Sequence, residues 1–216
     1  MGENADGKLQ VPNRTKHYTE MSVQAAIAEQ PVQDLPPGDF AIWLFIFAEL
    51  LVFGVFFLSY AFSRSAHVEL FDTYQRELNR TTGAINTMIL IISSYFVVRG
   101  VAAIKRGLER RCVHWLTGAW LLGGVFVAIK LWEFDEKLSA GVTMSTNTFY
   151  MFYLSLTFFH FMHVLLAMVI LAAVILKARR GGYSPADYTG VETGASYWHM
   201  VDLVWVILFP LVYVIH

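Results

Sequence analysis

Charged side chains and cysteine are both scarce in this sequence of 216 residues. Only 15% of the residues are charged and 56% are hydrophobic, so a soluble domain of this composition could not cover its surface with polar groups. The net charge of -1 gives no support to a nucleic-acid partner. A single cysteine, Cys112, excludes an intramolecular disulfide and a thiolate cluster. These shortages together point to a membrane protein.

A signal peptide is also absent from the first 39 residues, which lack the apolar core of about 7 to 15 residues that such a peptide needs. We interpret residues 1–39 as a polar cytoplasmic tail that is retained. Residues 21–28 could form a short surface helix that docks on a partner, or the whole tail could be a disordered lead-in. Prolines at positions 31, 36 and 37 would break any helix before the membrane.

Five long apolar runs occupy the remainder of the chain, residues 40–216. A helix needs about 20 residues to cross a hydrocarbon core of about 30 Å. Strands of a membrane barrel would instead alternate apolar and polar side chains over about ten residues. Because a helix satisfies its own backbone hydrogen bonds in lipid, the sequence predicts an all-α polytopic membrane protein, a five-helix bundle. Its helices are expected at about residues 40–62, 83–104, 112–134, 147–176 and 196–215. The fourth is long enough to tilt or protrude.

Lysine and arginine are unevenly divided between the two sides of this bundle. Ten lie in the tail and in the second and fourth loops, and only four lie in the first and third. Because short loops rich in these residues stay in the cytoplasm, we predict a cytoplasmic amino terminus and a periplasmic carboxyl terminus. The first external loop, residues 63–82, has mixed charge and is expected to form a solvated helix or a lid.

Glu49 is the most conspicuous acidic residue within a predicted span. It lies nine residues into the first helix, about 13 Å deep at about 1.5 Å per residue, and its neighbours one turn away are apolar. An ionised carboxyl near the bilayer centre is expensive, about 2.5 to 3.5 kcal/mol on insertion scales. We therefore expect Glu49 either to be protonated or to take a donor from another helix. A proton-linked role and a purely structural hydrogen bond both fit this position.

Other polar residues cluster on the later helices. His160 and His163 share a helix face with Tyr153 and Thr157, which fits an interhelical hydrogen-bond stripe better than a metal site. At the end of the third helix, Lys130 and Glu133 have the spacing of an ion pair, although ordinary interfacial charges that reach the periplasmic boundary are the favoured interpretation. On the fifth helix, Asp202 is one turn from Trp198 and His199, and Trp205 extends the aromatic face. Tryptophans near the cytoplasmic boundary could be interface anchors. We predict, however, that residues 197–205 are largely buried within the bundle, with Asp202 held by a cross-helix donor such as a histidine or tryptophan.

Several segments together resemble subunit III of haem-copper oxidases, over residues 39–216. The stretch from Glu192 to Trp205, ETGASYWHMVDLVW, is similar to the family's Glu-x-x-x-x-Tyr-Trp-His-Phe-Val-Asp-x-x-Trp motif. Three further landmarks follow the family's order: Ala48–Glu49–Leu50, Trp132–Glu133, and Phe159–His160 with His163–Val164. Met200 stands where the family commonly has phenylalanine. Typical members have seven helices, and this chain starts at the equivalent of the third, which leaves open a groove that the first two helices would line.

The resemblance implies a non-catalytic accessory subunit that supports assembly, stability or sustained turnover of a catalytic large subunit in the bacterial inner membrane. Haem and non-haem iron or copper would belong to that partner, with no cofactor in this chain except associated phospholipid. Five helices favour a NorE-type member associated with nitric oxide reductase and denitrification, and the alternative is subunit III of an oxygen-reducing cytochrome oxidase. Glu49 would be the proton-linked candidate. The interhelical, partner or lipid contacts would be Glu133, His160, His163, Glu192, Trp198, His199, Asp202 and Trp205.

Two other classes of protein remain open from the sequence. A small b-type cytochrome could use His160 with His199 or His114 as axial ligands, and its visible absorbance would reveal it. A proton-coupled transporter could use Glu49 as a carrier site, although the sequence shows no internal repeat.

Overall fold

The structure of the protein, a computed structural model, describes residues 38–215. Within this part of the chain there is no named β-strand, and five of the helices are long and apolar enough to cross a membrane. The predicted all-α architecture with five spans is confirmed. The expected surface helix at residues 21–28 lies outside the described residues. The helices are α1 (Phe40–Ala66), α2 (Val68–Gln75), α3 (Arg80–Lys105), α4 (Glu109–Ser139), α5 (Thr148–Arg179) and α6 (Thr189–Phe209), followed by a π-helical turn (Pro210–Val214).

Every spanning helix differs from its predicted range by several residues at one end or both. α4, for example, begins at Glu109 and ends at Ser139, and α6 begins at Thr189. Hydropathy marks only the part of a helix that contacts lipid, whereas the helix itself continues until a cap ends it. Such a cap starts α3, where the Asn79 side chain accepts a hydrogen bond from the backbone N–H of Thr82 at 3.1 Å.

The α6 helix lies at the centre of the bundle. It packs against α3 and α5 and also contacts α1, whereas α4 lies between α3 and α5 on the other side. In the apolar span of α6, 56% of the residues are buried, compared with 11% in α1. α1 is therefore a peripheral helix whose outer face is available to lipid or protein.

The loop between α1 and α3 is more firmly packed than its mixed charge predicts. Phe71 on α2 is fully buried, and its ring lies 5.3 Å from that of Tyr60 and 5.5 Å from that of Phe149, between centroids. Arg64 forms an ion pair of 2.9 Å with Asp72. The loop does contain the expected helix, but that helix is attached to the bundle by an aromatic anchor and an ion pair.

The last turn of the chain departs from α-helical geometry. From Pro210 the backbone forms a π-helical turn, in which the N–H of Ile215 donates to the carbonyl oxygen of Pro210 at 2.9 Å. This turn places Tyr213 fully inside the bundle. π-helical geometry is rare and frequently occurs at functional sites.

Candidate functional site

Among the described residues, we distinguish three groups of polar side chains at membrane depth. We call them the Glu49 pair (Glu49 and His163), the Lys130 network (Lys130, Glu133, Tyr153 and Tyr213) and the α3–α6 groove. The groove is lined on its polar side by Ser94, His199 and Asp202.

The Glu49 pair joins α1 to α5. Glu49 Oε2 lies 2.9 Å from His163 Nε2, and His163 Nδ1 lies 2.7 Å from the carbonyl oxygen of Phe159. The rings of Phe53 and Phe159 pack against the imidazole at 5.2 and 4.6 Å between centroids. The apolar neighbours of Glu49 on α1 thus provide no partner, as predicted, and the partner comes from another helix.

The geometry of this pair fixes where one proton must be. A carbonyl oxygen can only accept, so Nδ1 of His163 carries a proton that it donates to Phe159. The remaining contact then needs one proton between Nε2 and Oε2, either as a neutral acid donating to a neutral imidazole or as a carboxylate accepting from an imidazolium. The pair has no net charge in either state. A shift of this proton interconverts the two states without any change of helix packing.

The Lys130 network is the most deeply buried of the three groups. Lys130 is fully buried, and its Nζ donates to Glu133 Oε2 at 3.0 Å and to the Tyr213 hydroxyl at 3.1 Å. The hydroxyls of Tyr153 and Tyr213 donate to Glu133 Oε1 at 2.6 and 2.7 Å. Nζ also lies 5.4 Å from the centroid of the Trp205 ring, within the range of a cation–π interaction.

This arrangement confirms the Lys130–Glu133 pair that the spacing predicts, but not as a surface feature. The two charges are enclosed, and each carboxylate oxygen has at least one donor. A buried ion pair needs such additional hydrogen bonds to offset its desolvation. Tyr213 could not be connected to this pair from the sequence, since it lies 80 positions or more from both residues.

His160 and Trp205 pack against each other next to the Lys130 network. The His160 ring lies 5.1 Å from the Trp205 ring and 5.9 Å from the Phe126 ring, between centroids. Neither imidazole nitrogen has a hydrogen-bond partner among the described residues. Trp205 donates its indole N–H to the Thr87 hydroxyl on α3 at 3.0 Å. The two histidines of α5 therefore serve different neighbours, since His163 reaches α1 and His160 packs inside the bundle.

Trp198 is not an interface anchor, and the prediction that residues 197–205 are largely buried is confirmed. Its side chain is almost fully buried, and its ring packs against Gly123 on α4, where an added Cβ would lie 2.7 Å from the ring. The indole fits only because α4 has no side chain at that position. The central location of α6 turns this residue inward rather than toward the membrane surface.

Glu192 ties the first turn of α6 to two other helices. It forms an ion pair of 2.8 Å with Lys105 at the end of α3, and its Oε2 accepts from the Gly38 N–H at 3.2 Å. Beside it, the Thr193 hydroxyl accepts from the Asp39 N–H at 3.1 Å. The start of α1 is thereby fastened to the start of α6.

The α3–α6 groove contains a cross-helix partner for Asp202, as expected, but not of the expected kind. We expect a cross-helix donor such as a histidine or tryptophan, and the group that interacts with the carboxyl is Ser94 on α3. His199 Nδ1 lies 2.7 Å from Ser94 Oγ, and Trp205 donates to Thr87. Asp202 is buried, and its Oδ2 has no hydrogen-bond partner within residues 38–215. Residues one turn apart on α6 point their polar atoms to separate neighbours, so sequence spacing alone could not identify these contacts.

Comparisons with known proteins place these features in a family context. Residues 18–216 match the family model described as Cytochrome c oxidase subunit III. The chain is 35% identical over 175 residues to Cytochrome c oxidase subunit 3 of Thermostichus vulcanus, an alignment that covers 80% of this chain and 84% of the relative.

Two further relatives extend this comparison. The chain is 33% identical over 177 residues to Cytochrome c oxidase subunit 3 of Synechocystis sp., which covers 82% of this chain and 75% of the relative. It is 28% identical over 173 residues to Quinol oxidase subunit 3 of Bacillus subtilis, which covers 79% of this chain and 83% of the relative.

Proposed function

The chain belongs to the cytochrome c oxidase subunit III family, and from this membership we propose that it is a non-catalytic subunit of an oxygen-reducing respiratory oxidase. Its role is to support assembly, stability or sustained turnover of a catalytic large subunit that carries haem and metal. The observation that carries this proposal is the family match, which extends over residues 18–216. The relatives described above are named as subunits of cytochrome c and quinol oxidases.

The NorE-type assignment that five helices suggest is less well supported than the oxygen-reducing alternative. The alignment with the Thermostichus relative covers similar shares of both chains, 80% and 84%, so the two proteins have similar lengths. That relative is named as a cytochrome c oxidase subunit. A short chain is therefore not specific to proteins associated with nitric oxide reductase, and the length argument for that partner fails.

The geometry of the Lys130 network agrees with a supporting role. Its charges are paired with one another and with tyrosine hydroxyls inside the bundle, so they are not positioned to contact a substrate. Buried polar groups that are fully paired specify one packing of the helices. A rigid bundle of this kind is suited to hold a partner subunit in a fixed arrangement.

We extend the proposal to the surroundings of the bundle. Phospholipid covers the exposed apolar face of α1, because most of that helix is not buried by the chain itself. The start of α1 lies on the cytoplasmic side, because the loops on that side carry the excess of lysine and arginine.

Affinity purification of the tagged chain from its native membrane tests the proposed function. We expect a haem-containing large subunit to co-purify and the preparation to reduce oxygen. Removal of the chain should lower the amount or the sustained turnover of that oxidase without abolishing it. Co-purification with a nitric oxide reductase would instead restore the NorE-type interpretation, and stoichiometric haem in the isolated chain would contradict a non-catalytic role.

The proposed function includes a role for Glu49 in handling protons. Its pair with His163 holds one transferable proton, and the Glu49 side chain is 18% exposed, so it is not sealed inside the bundle. We propose that Glu49 buffers or relays protons for the large subunit during prolonged turnover. A purely structural pair would leave turnover unaffected when the acid is replaced by its amide.

A further inference from the structure

The α3–α6 groove contains an acidic side chain whose hydrogen bonding this chain does not complete. Asp202 is 7% exposed, and its Oδ2 is buried without a donor from any described residue. An unsatisfied buried polar atom costs about 1 to 3 kcal/mol, and more when it belongs to a charged group. Such an atom calls for a partner. Asp202 differs from His160, whose unpaired nitrogens lie inside the bundle, because it also lines a cavity between α3 and α6.

The position of Asp202 shows from which side that contact can come. It lines a cavity of about 310 Å³ between α3 and α6, together with Ser94 and His199. A second cavity of about 340 Å³ shares Val98 and His199 with the first and continues toward Lys105 and Glu192. The two cavities form one groove along the outside of the bundle.

The length of the groove follows from the spacing of its polar residues on α6. Glu192 and Asp202 are ten residues apart, which is about 15 Å along a helix. The groove therefore extends from the ion pair at the start of α6 to about the middle of a hydrocarbon core of about 30 Å. Its inner end lies where bulk water does not supply hydrogen bonds.

The rim of the groove is apolar and exposed. Four large side chains border the cavity at Asp202 and point outward from α3 and α6: Ile91, Tyr95, Leu203 and Val206. An apolar border around a small polar centre is the pattern of a helix–helix contact in membranes, where side chains pack and a few hydrogen bonds fix the register. Acyl chains could cover the border but could not donate a hydrogen bond to Asp202.

We propose that the α3–α6 groove is the docking site for a transmembrane helix of another subunit of the oxidase complex, and that this helix inserts a hydrogen-bond donor beside Asp202. The inference rests on the proposed function, because it requires such a complex to exist. A lysine, arginine, asparagine or hydroxyl side chain of the incoming helix provides the donor. Ser94 and His199, which are hydrogen-bonded to each other at 2.7 Å, line the groove next to Asp202.

Photo-crosslinking within the intact complex tests the site directly. A photoreactive phenylalanine analogue replaces Leu203, which is exposed on the groove rim, and in a second variant it replaces Val169, which is exposed on α5. After purification of the tagged complex, we expect the probe at position 203 to crosslink to one other subunit at least fivefold more than the probe at position 169. Because both positions are on the surface, neither substitution disturbs the core.

Substitution of Asp202 tests the donor. Asp202→Ala should lower the crosslink from position 203, or the amount of partner that remains bound in detergent, at least fivefold. Asp202→Asn keeps one acceptor oxygen and should lose less. Asp135→Ala removes an exposed acid at the end of α4 and should change neither quantity. Circular dichroism of each purified variant shows whether the bundle is still folded.

The outcomes separate the inference from the proposed function. If the complex co-purifies but the probe at position 203 reacts only with lipid or with a second copy of this chain, the groove inference is wrong and the proposed function stands. If folded Asp202→Ala retains the full crosslink, the donor at Asp202 is wrong. If no oxidase subunit co-purifies with the wild-type chain, the proposed function fails, and the groove inference fails with it.

Discussion

The Lys130 network and the α3–α6 groove differ in whether their buried polar atoms have hydrogen-bond partners from this chain. In the network, a fully buried lysine and a glutamate are joined to each other and to two tyrosines, all from this chain. In the groove, Ser94 and His199 pair with each other, but Asp202 keeps an oxygen without a donor from the described residues. Both regions place charged or polar atoms at membrane depth, where an unpaired group is expensive.

The difference distinguishes polar groups that hold the bundle together from polar groups that need a partner outside the chain. The network lies between α4, α5 and the end of α6, on the inside of the bundle, and is complete. The groove lies on the outside between α3 and α6 and is incomplete. The network is expected to determine the stability of the isolated chain, and the unpaired oxygen of Asp202 in the groove is expected to determine what the chain binds.

The largest effect is expected from breaking the ion pair of the network. Lys130→Met leaves the Glu133 charge buried without its cation and should lower the free energy of unfolding by about 3 to 5 kcal/mol. The double variant Lys130→Met/Glu133→Gln removes both charges and should recover most of this loss. Arg110→Met, at the exposed start of the same helix, should stay within about 0.5 kcal/mol. Unfolding in mixed micelles, followed by tryptophan fluorescence, measures all three.

A smaller loss is expected when the network keeps its charges but loses one hydroxyl. Tyr213→Phe and Tyr153→Phe each remove one hydrogen bond to Glu133 and should cost about 1.5 to 3 kcal/mol. Tyr95→Phe, on the exposed surface of α3, should change the unfolding free energy by less than about 0.5 kcal/mol. Equal losses at all three positions would show that the hydroxyls do not stabilise the buried charge.

Glu49 is intermediate between the Lys130 network and the α3–α6 groove, because it has a partner in this chain but is not enclosed by the bundle. Glu49→Gln keeps a hydrogen-bond donor for His163 Nε2 in its side-chain amide, so assembly should be preserved and stability should fall by less than about 1 kcal/mol. Prolonged oxidase turnover should nevertheless decline faster, while the metal content of the large subunit stays normal. Glu49→Ala should destabilise more, because it removes the hydrogen bond and leaves a void. Turnover of the Gln variant equal to that of wild type would assign the pair a packing role only.

The protonation state of the Glu49 pair can be measured separately. We expect the shared proton to lie on Glu49 rather than on His163, because a low-dielectric environment disfavours separated charges. Infrared difference spectra of wild type and Glu49→Gln should then show a band in the protonated-carboxyl region that is absent from the variant. A carboxylate band in its place would identify the ion-paired state.

The smallest effect is expected in the groove of the isolated chain. Asp202→Asn breaks no hydrogen bond that Oδ2 makes within the described structure, so the unfolding free energy should change by less than about 0.5 kcal/mol. This result would contrast directly with Lys130→Met under the same conditions. A loss above about 2 kcal/mol would show that Oδ2 of Asp202 has an internal partner, and the contrast between the two regions would disappear.

The sequence predicts the helices well because hydropathy over about 20 residues is a direct consequence of bilayer thickness. It also predicts local pairs, such as Lys130 with Glu133, because residues three apart share a helix face. Pairs between helices could not be predicted in the same way. The requirement of Glu49 for a partner follows from its depth, but the identity of that partner, His163, depends on how α1 lies against α5.

The neighbours of a buried helix face were also not predictable from the sequence. Trp198 and Asp202 are both on α6, and the sequence predicts their burial but not what they contact. Gly123 admits the Trp198 ring, and Asp202 lines the groove beside Ser94. Which side chain a helix can bury therefore depends on small residues of the neighbouring helix, and the pattern of one helix alone does not show these contacts.

The π-helical turn at Pro210 changes the direction in which the side chains at the end of the chain point around the helix axis. Its hydrogen bond spans five residues instead of four, so the turn, which contains Tyr213, holds one residue more than an α-turn. Deleting one residue between Trp205 and Tyr213 would rotate Tyr213 by about 100° about the helix axis, away from the Lys130 network. The spacing between Trp205 and Tyr213 is thus as much a part of the network as the two side chains themselves.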